Sequence, residues 1–162
     1  MTMAAIALAL VLGWQGPVDF SGQWVADPPA ATGPGDMGSG WGSQLTITQD
    51  IKQLVVQPAL FSRYDGQPPV RIVYTLDGSE SRNAVMVGHS SQLRVSRAKW
   101  DGASLQISTN YPAVDSQTGR SLATEVVQRL TLESPGVLVI EATRSGALGG
   151  KPTSTRSVYR KQ

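Results

Sequence analysis

Residues 96–107 read Ser-Arg-Ala-Lys-Trp-Asp-Gly-Ala-Ser-Leu-Gln-Ile. Asp-Gly is a favoured turn pair because both residues tolerate positive φ. A two-residue turn at Asp101-Gly102 places Trp100 opposite Ala103, Ala98 opposite Leu105 and Ser96 opposite Ile107. One face then carries Trp100, Ala98, Leu105 and Ile107, and the other Arg97, Lys99, Ser104 and Gln106. That division is what a sheet with one wet face requires. Leu93 and Val95 fall on the wet face in this register, which predicts a bulge or bend near Ser96.

The same logic extends in both directions. Towards the C-terminus, a three-residue loop at Ser134-Pro135-Gly136 pairs Leu132 with Leu138 and Leu130 with Ile140 on one face. It pairs Arg129 with Glu141 on the other, a predicted cross-strand contact. A final strand, Ser154 to Arg160, follows the Gly146-Ala147-Leu148-Gly149-Gly150 loop. Towards the N-terminus, Ile72, Tyr74 and Leu76 alternate with Arg71, Val73 and Thr75 and end at Asp77-Gly78. Leu45 and Ile47 alternate with Thr46 and Thr48, residues 49–52 turn the chain, and Leu54-Val55-Val56 returns. Residues 20–25 form a short first strand. Residues 28–43, PPAATGPGDMGSGWGS, lack periodicity and read as a long loop. The expected fold is an all-β, antiparallel up-and-down meander of about 8–10 strands, closed as a barrel or folded as a β-sandwich.

Composition fits one domain. The chain has 162 residues, 40% hydrophobic and 16% charged, with 17 Gly and 10 Pro and no cysteine. Disulfides, thiolate metal sites and cysteine nucleophiles are thereby excluded. The net charge is +2, but the arginines are scattered among acids, which argues against a nucleic-acid surface. The first eighteen residues carry no charged side chain, and residues 3–13, MAAIALALVLG, suit the apolar region of a secretory signal peptide. The expectation is a signal peptide over 1–16, a single domain over 17–162, and a secreted or periplasmic location. An exported chain without cysteine suits a bacterial envelope.

Reactive constellations are sparse. Gly88-His89-Ser90-Ser91-Gln92 has the outline of a nucleophile elbow, but Gln92 stands where a glycine belongs and His89 is the only histidine. One histidine makes no zinc site of the common kind, and Asp50, Asp65, Asp77 and Asp101 occupy turn positions. Carboxylate chemistry would have to draw on Glu80, Glu125, Glu133 and Glu141, of which Glu80 and Glu125 have no assigned partner. No catalytic residue, metal or cofactor is assigned.

Gly22-Gln23-Trp24 on the first strand resembles the G-x-W signature of the lipocalins and related calycin barrels. The resemblance implies that Trp24 plugs one end of a barrel and that a late arginine, Arg156 or Arg160, packs over it. The run of F-S-G-x-W, L-T-I-T-Q-D, Y-T-L-D-G-S-E, A-K-W-D-G-x-S-L-x-I and V-Y-R-K is also similar to short secreted bacterial proteins of unknown function described as lipocalin-like. In such a barrel the inward aromatics Trp24, Tyr74 and Trp100 would line a site for a small, partly apolar ligand. They would equally serve as core. Three functions stay open: a ligand-binding module, a protein-interaction or inhibitor module using residues 28–43, with Trp41 at its tip, and the edge strands, and a small barrel enzyme working through carboxylates. A non-enzymatic role is expected, with no nucleic-acid partner and no integral membrane segment.

Overall fold

In a computed structural model, residues 17–27, 38–59, 70–87, 90–112, 114–145 and 150–162 are described here, the side chain of Val87 excepted. The expected signal peptide, the first part of the 28–43 loop, His89 and residues 146–149 lie outside them.

Ten strands account for most of the described chain: β1 (Gly22–Ala26), β2 (Gln44–Gln49), β3 (Gln53–Pro58), β4 (Ile72–Thr75), β5 (Glu80–Val87), β6 (Ser90–Asp101), β7 (Ser104–Tyr111), β8 (Thr124–Ser134), β9 (Val137–Arg144) and β10 (Thr153–Lys161). No helix occurs among the described residues. The strands form one antiparallel sheet in the order β4-β3-β2-β1-β10-β9-β8-β7-β6-β5, an up-and-down meander bent into a nearly closed barrel. The expected fold class is therefore observed, in its barrel form. The edges β4 and β5 face each other, and side chains of β5 bridge to the backbone of β4: Ser81 Oγ accepts from Thr75 N–H at 2.7 Å, and the Asn83 carboxamide bonds both polar groups of Val73.

Turn chemistry sets this connectivity. Asp50 Oδ1 accepts from the N–H groups of Lys52 and Gln53, and Asp77 Oδ1 from the N–H and hydroxyl of Ser79, so each aspartate stands in for a backbone acceptor. Gly78 and Gly102 supply the left-handed φ values, 83° and 59°. The turns at 50–52, 76–79, 102–103 and 135–136 lie at the same end of the barrel as both described chain ends. At the opposite end, four of the five connections (27–43, 59–71, 112–123 and 145–152) are long. The barrel thus has a tight-turn end and a loop end.

Three hairpin details differ from expectation. The β6–β7 turn is one step further on: Gly102 and Ala103 occupy it, and Asp101 pairs Ser104, Trp100 pairs Leu105 and Ala98 pairs Ile107. A shift of two in register preserves side-chain parity, so the expected faces are kept while the partners change. No bulge appears near Ser96. β6 runs unbroken, and Leu93 and Val95 do face outward, Leu93 at 49% exposure. The β8–β9 hairpin keeps the expected pairs, with Leu132 opposite Leu138, Leu130 opposite Ile140 and Arg129 opposite Glu141, but its loop is the two residues Pro135-Gly136 in place of the expected three: Ser134 pairs Val137 after a register shift between Leu132 and Ser134. Arg129 nevertheless makes its ion pair with Asp101 (2.6 Å), not Glu141.

The core is the barrel interior. Trp24, Leu45, Ile47, Leu54, Val56, Ile72, Tyr74, Ala98, Leu105, Ile107, Leu130, Leu138, Ile140 and Tyr159 are buried inner-face residues in one continuous cluster. Each large aliphatic side chain so buried contributes about 1.5–3 kcal/mol, which is how a chain without disulfides sustains the fold.

Candidate ligand-binding interior

The inner face is divided along the barrel axis. At the tight-turn end it is apolar. Residues 17–21 cross this end, fixed by Gln49, whose Oε1 accepts from Phe20 N–H (3.0 Å) and whose Nε2 donates to Val18 O (2.8 Å). The Phe20 ring stacks on Trp100 at 5.9 Å and 10°, and the Trp24 indole N–H donates to Phe20 O at 3.0 Å. Two of the sequence-assigned aromatics, Trp24 and Trp100, meet here on either side of Phe20. The cation over Trp24 is Lys161, with Nζ 5.5 Å from the ring centre. The two arginines expected there are engaged elsewhere, Arg156 with Glu133 and Arg160 with Asp27. Strand register explains the change: Lys161 is the residue paired with Trp24 and shares its face, whereas Arg156 and Arg160 alternate to the outside.

Gly22 of the G-x-W triplet has a steric role. A Cβ there would lie 2.6 Å from Lys161 Cε, in a backbone with φ of +152°. Its missing side chain is the path by which Lys161 reaches Trp24.

Towards the loop end the inner face becomes polar. Ser96 and Thr109 share a hydrogen bond across β6 and β7 (2.8 Å). Gln128, Arg144, Thr155 and Tyr159 converge from β8, β9 and β10 on the segment Gly38–Gly42. Gln128 Nε2 donates to Ser39 O (2.6 Å), Arg144 Nη2 and Thr155 Oγ1 to Gly38 O (2.9 and 2.8 Å), and Tyr159 OH to Gly42 O (2.6 Å). The Ser39 hydroxyl reaches Tyr159 OH at 2.6 Å and accepts from Trp41 N–H. Gln128 Oε1 is buried with no hydrogen-bond partner among the described residues.

Trp41, expected at the tip of a loop offered to a partner, is instead 3% exposed, with its ring 6.1 Å from that of Tyr74, the third sequence-assigned aromatic. Burial pushes the Tyr74 phenol well above the usual tyrosine range; Tyr111 adds to this, while the hydrogen bond from Trp41 and the charge of Arg94 partly oppose it. Burial likewise raises Tyr159 against the opposing hydrogen bond from Ser39. Both phenols are neutral at ordinary pH, Tyr159 donating to Gly42 O and Tyr74 accepting from Trp41. Beside them, Arg94 lies 4.4 Å over the Tyr111 ring.

Trp24, Tyr74 and Trp100 therefore all belong to the interior, each covered by another part of the chain, and they divide between the two ends. Gln128, Arg144, Thr155, Tyr159, Arg94 and Ser39 escaped the sequence reading. Its own register held a signal for one of them: Gln128 is two residues before Leu130 and shares the buried face.

The two carboxylates left without partners, Glu80 and Glu125, line one groove of about 330 Å³ on the outer surface, with Arg97, Asn110 and Pro112. Glu80 is bound by Arg97 (2.9 Å) and approached by Arg82 (3.5 Å). No cluster of three or more His, Cys, Asp or Glu suited to a metal occurs among the described residues, and no described helix is long and apolar enough to cross a membrane. Neither the models of known protein families nor the curated proteins contain a match to this chain.

Proposed function

We propose that the protein is an exported, lipocalin-like carrier that takes up a small, partly apolar molecule through the loop end of its barrel and acts by binding, without catalysis. One observation carries this reading: the inner face joins an apolar, aromatic-floored end to a band of side-chain donors under the long connections. Small-molecule sites in barrels combine an apolar wall with a few convergent polar groups in this way. Trp24 and Trp100 serve as floor and Tyr74 as wall. The apolar stretch at residues 3–13 supports export. The inward seat of Trp41 weighs against a protein-docking role for its loop.

Native mass spectrometry of protein purified from its own host tests the reading. A reproducible added mass, lost on denaturation, is the expected result. Bare protein in repeated preparations, together with failure to bind any amphiphile offered to it, overturns it.

A further inference from the structure

Charge is sorted by face in this barrel. Every acidic residue in a strand (Glu80, Asp101, Glu125, Glu133 and Glu141) sits at an outer-face position. All five ion pairs between described residues involve outward arginines: Arg82, Arg97, Arg129, Arg156 and Arg160. Among the described strand residues no carboxylate lies on the inner face, yet Arg94 of β6 and Arg144 of β9 share that face with Ser96 and Ala142. Arg94 rests on the Tyr111 ring and donates to Gln92 Oε1 (3.4 Å), and Arg144 rests on a carbonyl and a hydroxyl. Neither has an acid partner among the described residues.

What occupies this positive region is the chain itself. Gly38–Gly42 presents three carbonyl oxygens to four side-chain donors and lays one aromatic ring against Tyr74. Its glycines 38, 40 and 42 all adopt left-handed φ, at 54°, 85° and 84°, so the segment is shaped by backbone that other residues rarely adopt. A single carbonyl leaves the charge of the guanidinium uncompensated, whereas an anionic oxygen group would both neutralise it and offer two parallel acceptors.

We infer that Gly38–Gly42 is an internal ligand, and that the molecule which displaces it is an acidic aromatic one: a ring for the seat of Trp41 and an anionic oxygen group for Arg144, with Arg94 adding to the field. This rests on the carrier reading and names the ligand class for that same site. The unpartnered Gln128 Oε1 provides an acceptor for a donor on such a ligand.

A matched pair of fluorescent probes tests it with the full-length protein: anilinonaphthalene sulfonate, and phenylnaphthylamine, which has the same rings and no charge. The sulfonate is expected to bind about tenfold more tightly, the value of one charge-assisted hydrogen bond. Arg144→Gln, and to a lesser degree Arg94→Gln, should remove that advantage by narrowing the ratio of the two affinities; Arg144→Gln should also tighten the neutral probe somewhat, because it releases Gly38 O, whereas Arg94→Gln should leave that probe unaffected. Ser39→Ala and Trp41→Leu, each checked for folding by circular dichroism, should raise affinity for both probes by weakening the internal ligand. Equal affinities for the two probes, or arginine variants that change both alike, overturn the acidic class while leaving the carrier reading standing. Unchanged or weakened binding in both folded loop variants overturns the internal-ligand role. If neither probe binds, this inference falls, and the carrier reading falls with it when native mass spectrometry also finds only bare protein.

Discussion

The side-chain carboxamide of Asn83 brackets Val73: its Nδ2 donates to the Val73 carbonyl and its Oδ1 accepts from the Val73 N–H, each at 2.9 Å. A side chain thereby performs across the β4–β5 seam the exchange that two backbones perform in a ladder. The seam is where the meander leaves two edges, and unpaired edges invite association with other chains.

Asn83→Ala should open this seam. Asn83 is only 7% exposed, and its removal leaves a partly buried N–H and C=O of Val73 unpartnered, at a cost of about 1–3 kcal/mol. Urea unfolding measures the loss, and hydrogen exchange at the Val73 amide localises it. Unchanged protection of that amide in the variant would show that the seam does not depend on Asn83.

Stability should decline in alkali because of the buried phenols. An unfolded tyrosine ionises near pH 10.0, whereas burial keeps Tyr74, and to a lesser extent Tyr159, neutral beyond that in the fold. Only the unfolded state then gains from releasing the proton. The contribution is complete below pH 10.0 and is lost as pH rises above it. Tyr74→Phe should flatten the alkaline limb of a Tm-against-pH curve; a limb of unchanged steepness would assign the effect elsewhere. At acid pH the sign is reversed for Asp50, Asp77 and Asp115, whose carboxyls are held low by hydrogen bonds within their turns. Their contribution is present above pH 3.8 and is lost below it, and full exposure keeps it modest.

Gly22→Ala should displace Lys161 from Trp24. The new Cβ would meet Lys161 Cε at 2.6 Å; the lysine chain is able to swing away, but the backbone φ of +152° remains unfavourable for alanine. We expect a loss of about 1–3 kcal/mol, with altered emission from Trp24. Lys161→Ala alone, which removes the cation and its stem but leaves the backbone unstrained, should cost less than about 1 kcal/mol. Equal losses in the two variants would locate the role of Gly22 in the lysine contact and not in its backbone.

How much of this was legible depended on whether the signal was local. Alternation gave the β8–β9 pairs from Leu132–Leu138 inward, but not the turn itself, where a register shift after Leu132 brings Ser134 into the ladder opposite Val137. It gave the faces of β6 and β7 but not the partners, since Asp101-Gly102 and Gly102-Ala103 both make acceptable two-residue turns and differ by a shift that parity does not detect. Trp24, Tyr74 and Trp100 were legible as inward aromatics for the same reason. Their coverings were not: Phe20 meets Trp100, and Trp41 meets Tyr74, only once the barrel has closed. The donors on Gly38–Gly42 come from three strands that lie 89 to 117 residues further along the chain. Nothing in local sequence announces them except a polar residue, Gln128, on a face that register marks as buried.

The partner chosen by Arg129 illustrates that limit at the surface and yields a last test. Glu141 is its directly paired neighbour on β9, yet the guanidinium turns the other way, across β7, to Asp101 at 2.6 Å. Asp101 closes the β6–β7 turn and so presents its carboxylate at the rim, whereas Glu141 alternates along the middle of a strand. Both side chains of the observed pair are substantially exposed, 40% and 60%, so water screens the attraction and ordering two side chains offsets part of it. Asp101→Asn should therefore cost less than about 1 kcal/mol and lose even that at high salt, and Glu141→Gln should change nothing measurable. A double-mutant cycle on thermal unfolding separates the two carboxylates. Coupling of Arg129 to Glu141 stronger than to Asp101 would mean that direct strand pairing, and not turn geometry, selects the partner.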